Sequence, residues 1–255
     1  MRSHGWIALL LAVCLTGLCA AGLADPFPLT EDLAEEIVIP YEEDQPDAGC
    51  YVYSCRYPRI DPETPGADMI NSFYAYLIED ARDFGVPVMA DYLKTNGGLS
   101  ARTEIDYTVT CNDGDFFSVL VQTREEAGEE SSVFYAGHTF SLSLGKAGAT
   151  LTLPELLTIL NATENDTWLQ ERQTARADRL IRELVWAQIE ENRDDVPFYD
   201  DLDEEALAGC FYPEEDYYLD ETGNPVFFLQ PGAAAPDSAG LLLFPVSLEE
   251  IRDEM

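Results

Sequence analysis

The chain has 255 residues, and 49 Asp and Glu against 14 Lys and Arg give it a net charge of −35. A phosphate backbone is held by basic surface that releases its counterions, so nucleic acid is excluded as a partner. Apolar residues still make up 46% of the sequence, so the acid is surplus surface charge on a chain able to bury a core.

Arg2 is the only basic residue before an apolar run from Trp6 to Val13, and Gly22-Leu23-Ala24 precedes Asp25. A charged start, a greasy middle and small residues at the end predict a secretory signal peptide over 1–24, which places the remainder outside the cytoplasm, secreted or attached to the envelope. Contact with a membrane would come only through this segment left uncleaved, since the uncharged stretch to Ala24 is long enough to span one.

Residues 25–48 carry nine acids, no base and four prolines. That composition predicts an acidic flexible leader, with order beginning at Gly49. A strand-helix part follows over 49–101. Cys50–Tyr57 is rich in β-formers and stops at Pro58, which suits a strand. Ile70, Phe73, Tyr74, Leu77, Ala81 and Phe84 recur at helical spacing and predict one buried helix face. The pattern over 86–101 does not choose between helix and strand, apart from a break at Asn96-Gly97-Gly98.

The last part, 102–255, reads as α+β. Ile105, Tyr107, Val109 and Cys111 alternate with polar residues as one face of a strand. Asn112-Asp113-Gly114-Asp115 supplies a tight turn, and Phe116–Arg124 returns. A third strand is expected over Ser132–Leu144, and a short helix at Leu153. A long helix is expected from Thr167, with Gln170 as partner in a capping box, and a core face of Ala177, Leu180, Ile181, Leu184, Val185 and Ile189. Tyr217–Leu219 and Val226–Leu229 flank a turn as a C-terminal hairpin, and Gly240–Val246 gives a last strand. The expected fold is an antiparallel sheet, a meander plus this hairpin, packed against two main helices. The oily side of the 103–144 meander is expected to be sealed by 167–192.

Cys50, Cys55, Cys111 and Cys210 remain after the signal. On a strand, Cys50 and Cys55 lie about 16 Å apart and cannot join, so bridges would run from this strand to Cys111 and Cys210. Free buried thiols are the alternative.

Catalytic signals are thin. Ser143 and Lys146 have the spacing of a Ser-x-x-Lys pair, but on a turn and without companion motifs. His138, alone after the signal, lies in a strand pattern and reads as a partly buried structural residue. One imidazole makes no His-rich zinc site. Asp113 with Asp115, Glu129 with Glu130, and Asp200-Asp201 with Asp203 are dense in acid but lack a calcium-loop register. No cofactor is expected. Tyr51, Tyr53, Tyr57, Tyr212, Tyr217 and Tyr218 are candidates for an aromatic binding face.

The order of motifs resembles the extracytoplasmic region shared by the lysozyme-sensing anti-sigma factor RsiV and the non-catalytic part of the deacetylase PdaC. Tyr57-Pro58 and Ile70-Asn71 match its first part. Tyr107–Gln122, Thr139–Leu142, Leu151–Leu157, Tyr217–Leu219, Val226–Phe228 and Ala233–Pro236 match its second. Where that family commonly has Gly-Gly-Ala-His, this chain has Gly128-Glu129-Glu130-Ser131, which makes Glu129 and Glu130 the candidate partner-binding loop. The resemblance implies a non-enzymatic, envelope-facing binding module whose partner is a cationic protein such as lysozyme, a cationic peptide, or peptidoglycan. The alternative from another class is a carboxylate hydrolase acting on cell-wall polymers, which needs two acids about 5–10 Å apart across a cleft.

Overall fold

The computed structural model describes residues 26–42, 49–96, 100–141, 147–162 and 166–255. The expected signal peptide and the Ser143/Lys146 pair lie outside them. No helix among the described residues is long and apolar enough to cross a membrane.

The first strand forms where a flexible leader was expected. Strand β1 (Leu33–Pro40) pairs antiparallel with β2 (Cys50–Tyr57) along its whole length. Leu33, Glu35, Ile37 and Ile39 face inward while Ala34, Glu36, Val38 and Pro40 face water. Counting acids hid this two-residue period, which puts three apolar residues on one face. The fourth inward residue, Glu35, is ion-paired with Arg82. Upstream, the Asn112 side chain accepts from Phe27 N at 2.8 Å and donates to Phe27 O at 3.0 Å, so the approach to β1 is fastened too.

Helix α1 (Ala67–Asp80) follows, then a π turn (Ala81–Gly85) and α2 (Val86–Thr95). The expected face holds at Ile70 and Tyr74, both fully buried, and fails at Phe84, which is 68% exposed. The π turn closes i→i+5 hydrogen bonds, so residues after it are rotated away from the position that α spacing assigns them. Asn71 explains its place beside Ile70: its side chain accepts from Ile60 N and donates to Ile60 O, pinning the loop that leaves β2.

Three long strands, β3 (Ala101–Asn112), β4 (Phe116–Ala127) and β5 (Glu130–Ser141), form the meander, and β6 (Ala149–Thr150) pairs with its end. The sheet runs β1-β2-β3-β4-β5-β6, with a parallel β2–β3 pair among antiparallel ones. In β3 the register shifts between Val109 and Cys111. A bulge spends one extra residue and reverses the faces beyond it, so Ile105, Tyr107 and Val109 pack in one core and Cys111 in another.

Short helices α3 (Leu153–Leu156) and α4 (Ile159–Ala162) lead to the long α5 (Thr167–Glu191). Its N-cap is Asp166, whose carboxylate accepts from Leu169 N, and not the expected Thr167 box. Helix α6 (Glu204–Cys210), strands β7 (Tyr217–Leu219), β8 (Pro225–Leu229) and β9 (Leu242–Pro245), and α7 (Leu248–Glu254) complete the chain. The last three strands make a separate sheet. The fold is thus α+β, as the patterns predict.

The sealing helix is different from the expected one. Phe117, Val119, Val121 and Phe140 of the meander pack with Ile70, Tyr74 and Ile78 of α1. Helix α5 instead joins Phe227, Leu229 and Phe244 of the small sheet, burying Ala177, Leu180, Ile181, Val185 and Ile189. Burial of the valine, leucine, isoleucine and phenylalanine side chains among them contributes about 1.5–3 kcal/mol each. Strand β7 lies across the meander's other face and joins the halves. Leu219 N donates to Ser118 Oγ at 2.9 Å, and the Gln230 amide bonds both backbone groups of Tyr135.

All four described cysteines are free thiols. The expected bridges do not form because Cys55 lies in the α1 core and the bulge has sent Cys111 into the α5 core. Burial pushes the Cys111 thiol up to about 12, with Asp113 adding to the effect.

Candidate functional site

The acidic loop predicted to meet a partner is the tip of the β4–β5 hairpin. Ala127 pairs with Glu130, and Gly128 takes the left-handed φ of 63° that closes the turn. Glu129 and Glu130 are exposed there. Register adds what the sequence reading missed: Glu126 faces Ser131 and Glu125 faces Ser132 across the hairpin, so four carboxylates gather at one end of the large sheet.

Glu125, Glu126 and Glu130 line one side of a 320 Å³ cleft between this tip and α2. Met89 and Leu93 of α2 form the opposite wall, with Tyr51, Ala101 and Ala127 between. Tyr51 is 4% exposed, and its hydroxyl donates to Thr103 Oγ1 at 2.8 Å. Burial raises its pKa, which the Thr103 bond opposes and the Glu125 charge reinforces. Arg102 is the cation among the lining residues, and Glu104 lies 3.8 Å from it. The cleft therefore joins an apolar wall to an anionic rim, and suits a ligand that is greasy on one side and cationic on the other.

A second cleft, 690 Å³, lies between the first half of α5 and the turn at 212–215. Glu171, Asp178, Glu214 and Glu215 line it with Tyr212 and Arg182. Burial pushes the Asp178 carboxyl up, and the Arg182 guanidinium, 2.9 Å away, opposes the shift. Asp178 follows Glu171 by seven positions, about 10 Å along one helix axis, so these two acids stand on one wall.

The other sequence candidates have structural work. Tyr53, Tyr57 and Tyr217 are buried and Tyr218 half-buried, while Tyr212 is 52% exposed. Asp113 Oδ1 accepts from Asp115 N and Phe116 N to close the β3–β4 turn, and Asp203 caps α6 through Ala206 N. His138 sits against the rings of Phe73 and Tyr74 with its Nδ1 buried and unbonded. Among the described residues, no group of three or more His, Cys, Asp or Glu is placed to hold a metal ion.

Helix α2 and its cleft wall were the part sequence reasoning left open. The available signal was Val86, Ala90 and Leu93 at helical spacing, the first two buried and Leu93 partly so.

No family of known sequences and no curated protein matches the chain. Solved structures do. A DUF3298-family protein from Bacteroides fragilis superposes with a TM-score of 0.58 at 12% identity, covering 89% of this chain and 94% of its own. A second, from Pseudomonas aeruginosa PAO1, gives 0.51 at 14% identity, covering 89% and 93%. The RsiV-like region that the motifs resemble is related to that family. At these identities the likeness is one of architecture: the chain has the fold of DUF3298 proteins.

Proposed function

We propose that this chain is an exported, non-catalytic module of the bacterial cell envelope, RsiV-like, which captures a cationic protein or peptide at the acidic end of its larger sheet. The observation that carries the reading is the convergence of Glu125, Glu126, Glu129 and Glu130 on one hairpin tip of a chain with net charge −35. A field of that sign speeds the encounter with a cation, and a rim of exposed carboxylates makes the complex sensitive to salt. Immobilised lysozyme is the direct test. The chain should be retained at low ionic strength and released progressively toward physiological salt, and replacing the four glutamates by glutamine should weaken retention about tenfold or more. Absence of salt-sensitive retention would reject the cationic partner.

The competing reading, hydrolysis of wall polymers by two carboxylates, has its best foothold at Asp178 in the α5 cleft. Asp178 already bonds Arg182, which favours a structural role. The expectation is that the chain releases no reducing ends from peptidoglycan, and that Asp178→Asn changes nothing in that assay.

A further inference from the structure

Helix α2 is apolar over more of its circumference than the fold uses. At 100° per residue, Val88, Tyr92, Met89, Leu93, Val86 and Ala90 follow one another around about 200° of the helix, whereas about 100° suffices to bury a helix on a core. Val86 and Ala90 are buried, at 2% and 6%. Val88 and Tyr92 are not, at 69% and 61%, and Phe84, turned outward by the π turn, stands beside them at 68%. Met89 and Leu93 lie between the two sets and form the wall of the acidic cleft. The exposed stripe therefore runs without a polar break into a groove whose far side carries Glu125, Glu126 and Glu130.

A contiguous exposed apolar strip rimmed by charge marks an interaction surface. Charge selects the occupant. A second copy would bring another net −35 against these glutamates, and an anionic lipid surface would be repelled for the same reason. A segment with an apolar ridge and basic flanks meets both halves at once, the ridge on Val88, Tyr92 and Met89 and the cations on the hairpin tip.

We infer that the α2 stripe and the adjoining cleft form one docking groove for a basic amphipathic helical segment. The inference rests on the cationic-partner reading and gives it a shape: the partner is held by hydrophobic contact as well as by charge. Affinity for such a segment then has a component that salt does not remove, because apolar burial is not screened.

The purified chain is titrated with three probes: a synthetic helix with a leucine ridge and lysine flanks, a peptide of the same composition shuffled to lose the ridge, and polylysine of equal length. The ordered peptide should bind at least about tenfold more tightly than the other two, and the charge-neutral double variant Val88→Ser/Tyr92→Ser should abolish that preference while leaving polylysine binding as it was. Both residues are exposed, and an unchanged circular dichroism spectrum and Tm verify that the variant folds. Equal binding of all three peptides, insensitive to the double variant, overturns the groove while leaving the cationic-partner reading standing. Failure of every cationic probe removes both. A dimer that the double variant converts to monomer in sedimentation, or flotation with neutral vesicles that the same variant abolishes, assigns the stripe to another occupant and overturns the proposal.

Discussion

Single residues carry constraints out of proportion to their size. A Cβ placed on Gly137 would lie 1.7 Å from the carbonyl oxygen of Tyr217, so backbone of β5 touches backbone of β7 where only hydrogen fits. Gly137→Ala should force the sheets apart and lower Tm by several degrees or prevent folding, read by calorimetry, although alanine is the better residue for an ordinary backbone. His138 is constrained by solvation. Burial holds its imidazole down at about 4, and the unfolded chain protonates near 6.5. Between those values the unfolded state binds the proton that the folded state refuses. The stabilising contribution is therefore complete above about 6.5 and is lost as pH falls toward 4, on the order of 3 kcal/mol for full loss. Urea midpoints at neutral pH and at pH 4.5 should fall further for the native chain than for His138→Phe, the difference isolating this residue from the many carboxylates. The structural reading of His138 was legible from its strand pattern. The contact at Gly137 was not, because it depends on a segment eighty residues away.

At the scale of elements, legibility followed period. The alternation in β3 and the core face of α5 were visible as spacing of apolar residues, since solvent imposes that spacing wherever one face is buried, while β4 and the C-terminal hairpin were visible as apolar runs beside a turn. Two features escaped because each breaks a period locally, the bulge after Val109 and the π turn that displaces Phe84, and β1 escaped because its regular alternation is embedded in a stretch, 25–48, with nine acids and no base. The acidic hairpin was half visible. Glu129 and Glu130 stood out as neighbours in sequence, whereas Glu125 and Glu126 joined them only through strand register. Strand β1 also yields a prediction. Asn112→Ala removes both hydrogen bonds to Phe27 and strands polar backbone at the edge of a core, a cost of about 1–3 kcal/mol. Amide exchange over 27–40 should accelerate strongly, while that of α5, in the other core, should move only with global stability.

Across the whole molecule, charge and packing oppose each other. Two cores hold the chain together while an excess of 35 negative charges pushes it apart. Self-repulsion is screened by salt and burial is not. Thermal stability should accordingly rise from low to physiological ionic strength, the same change expected to weaken the proposed complex with lysozyme. Opposite signs for the two responses would separate the fold from the proposed recognition of a cation in one set of buffers. Composition announced this tension, but the division into two cores required the strand order to be known.

The register slip in β3 gives that strand a share in both halves, Ala101, Ile105, Tyr107 and Val109 in one and Cys111 in the other. Opposite it, Ser118 and Thr139 are buried hydroxyls, 3.0 Å apart, and Ser118 receives the Leu219 amide. Truncation before Tyr217 would leave no tidy smaller domain, because it would uncover a polar notch in the middle of a sheet, shaped for a backbone no longer there. The two halves should accordingly melt together, and a library of shortened chains should show a cliff at the final forty residues where a modular protein would show a step.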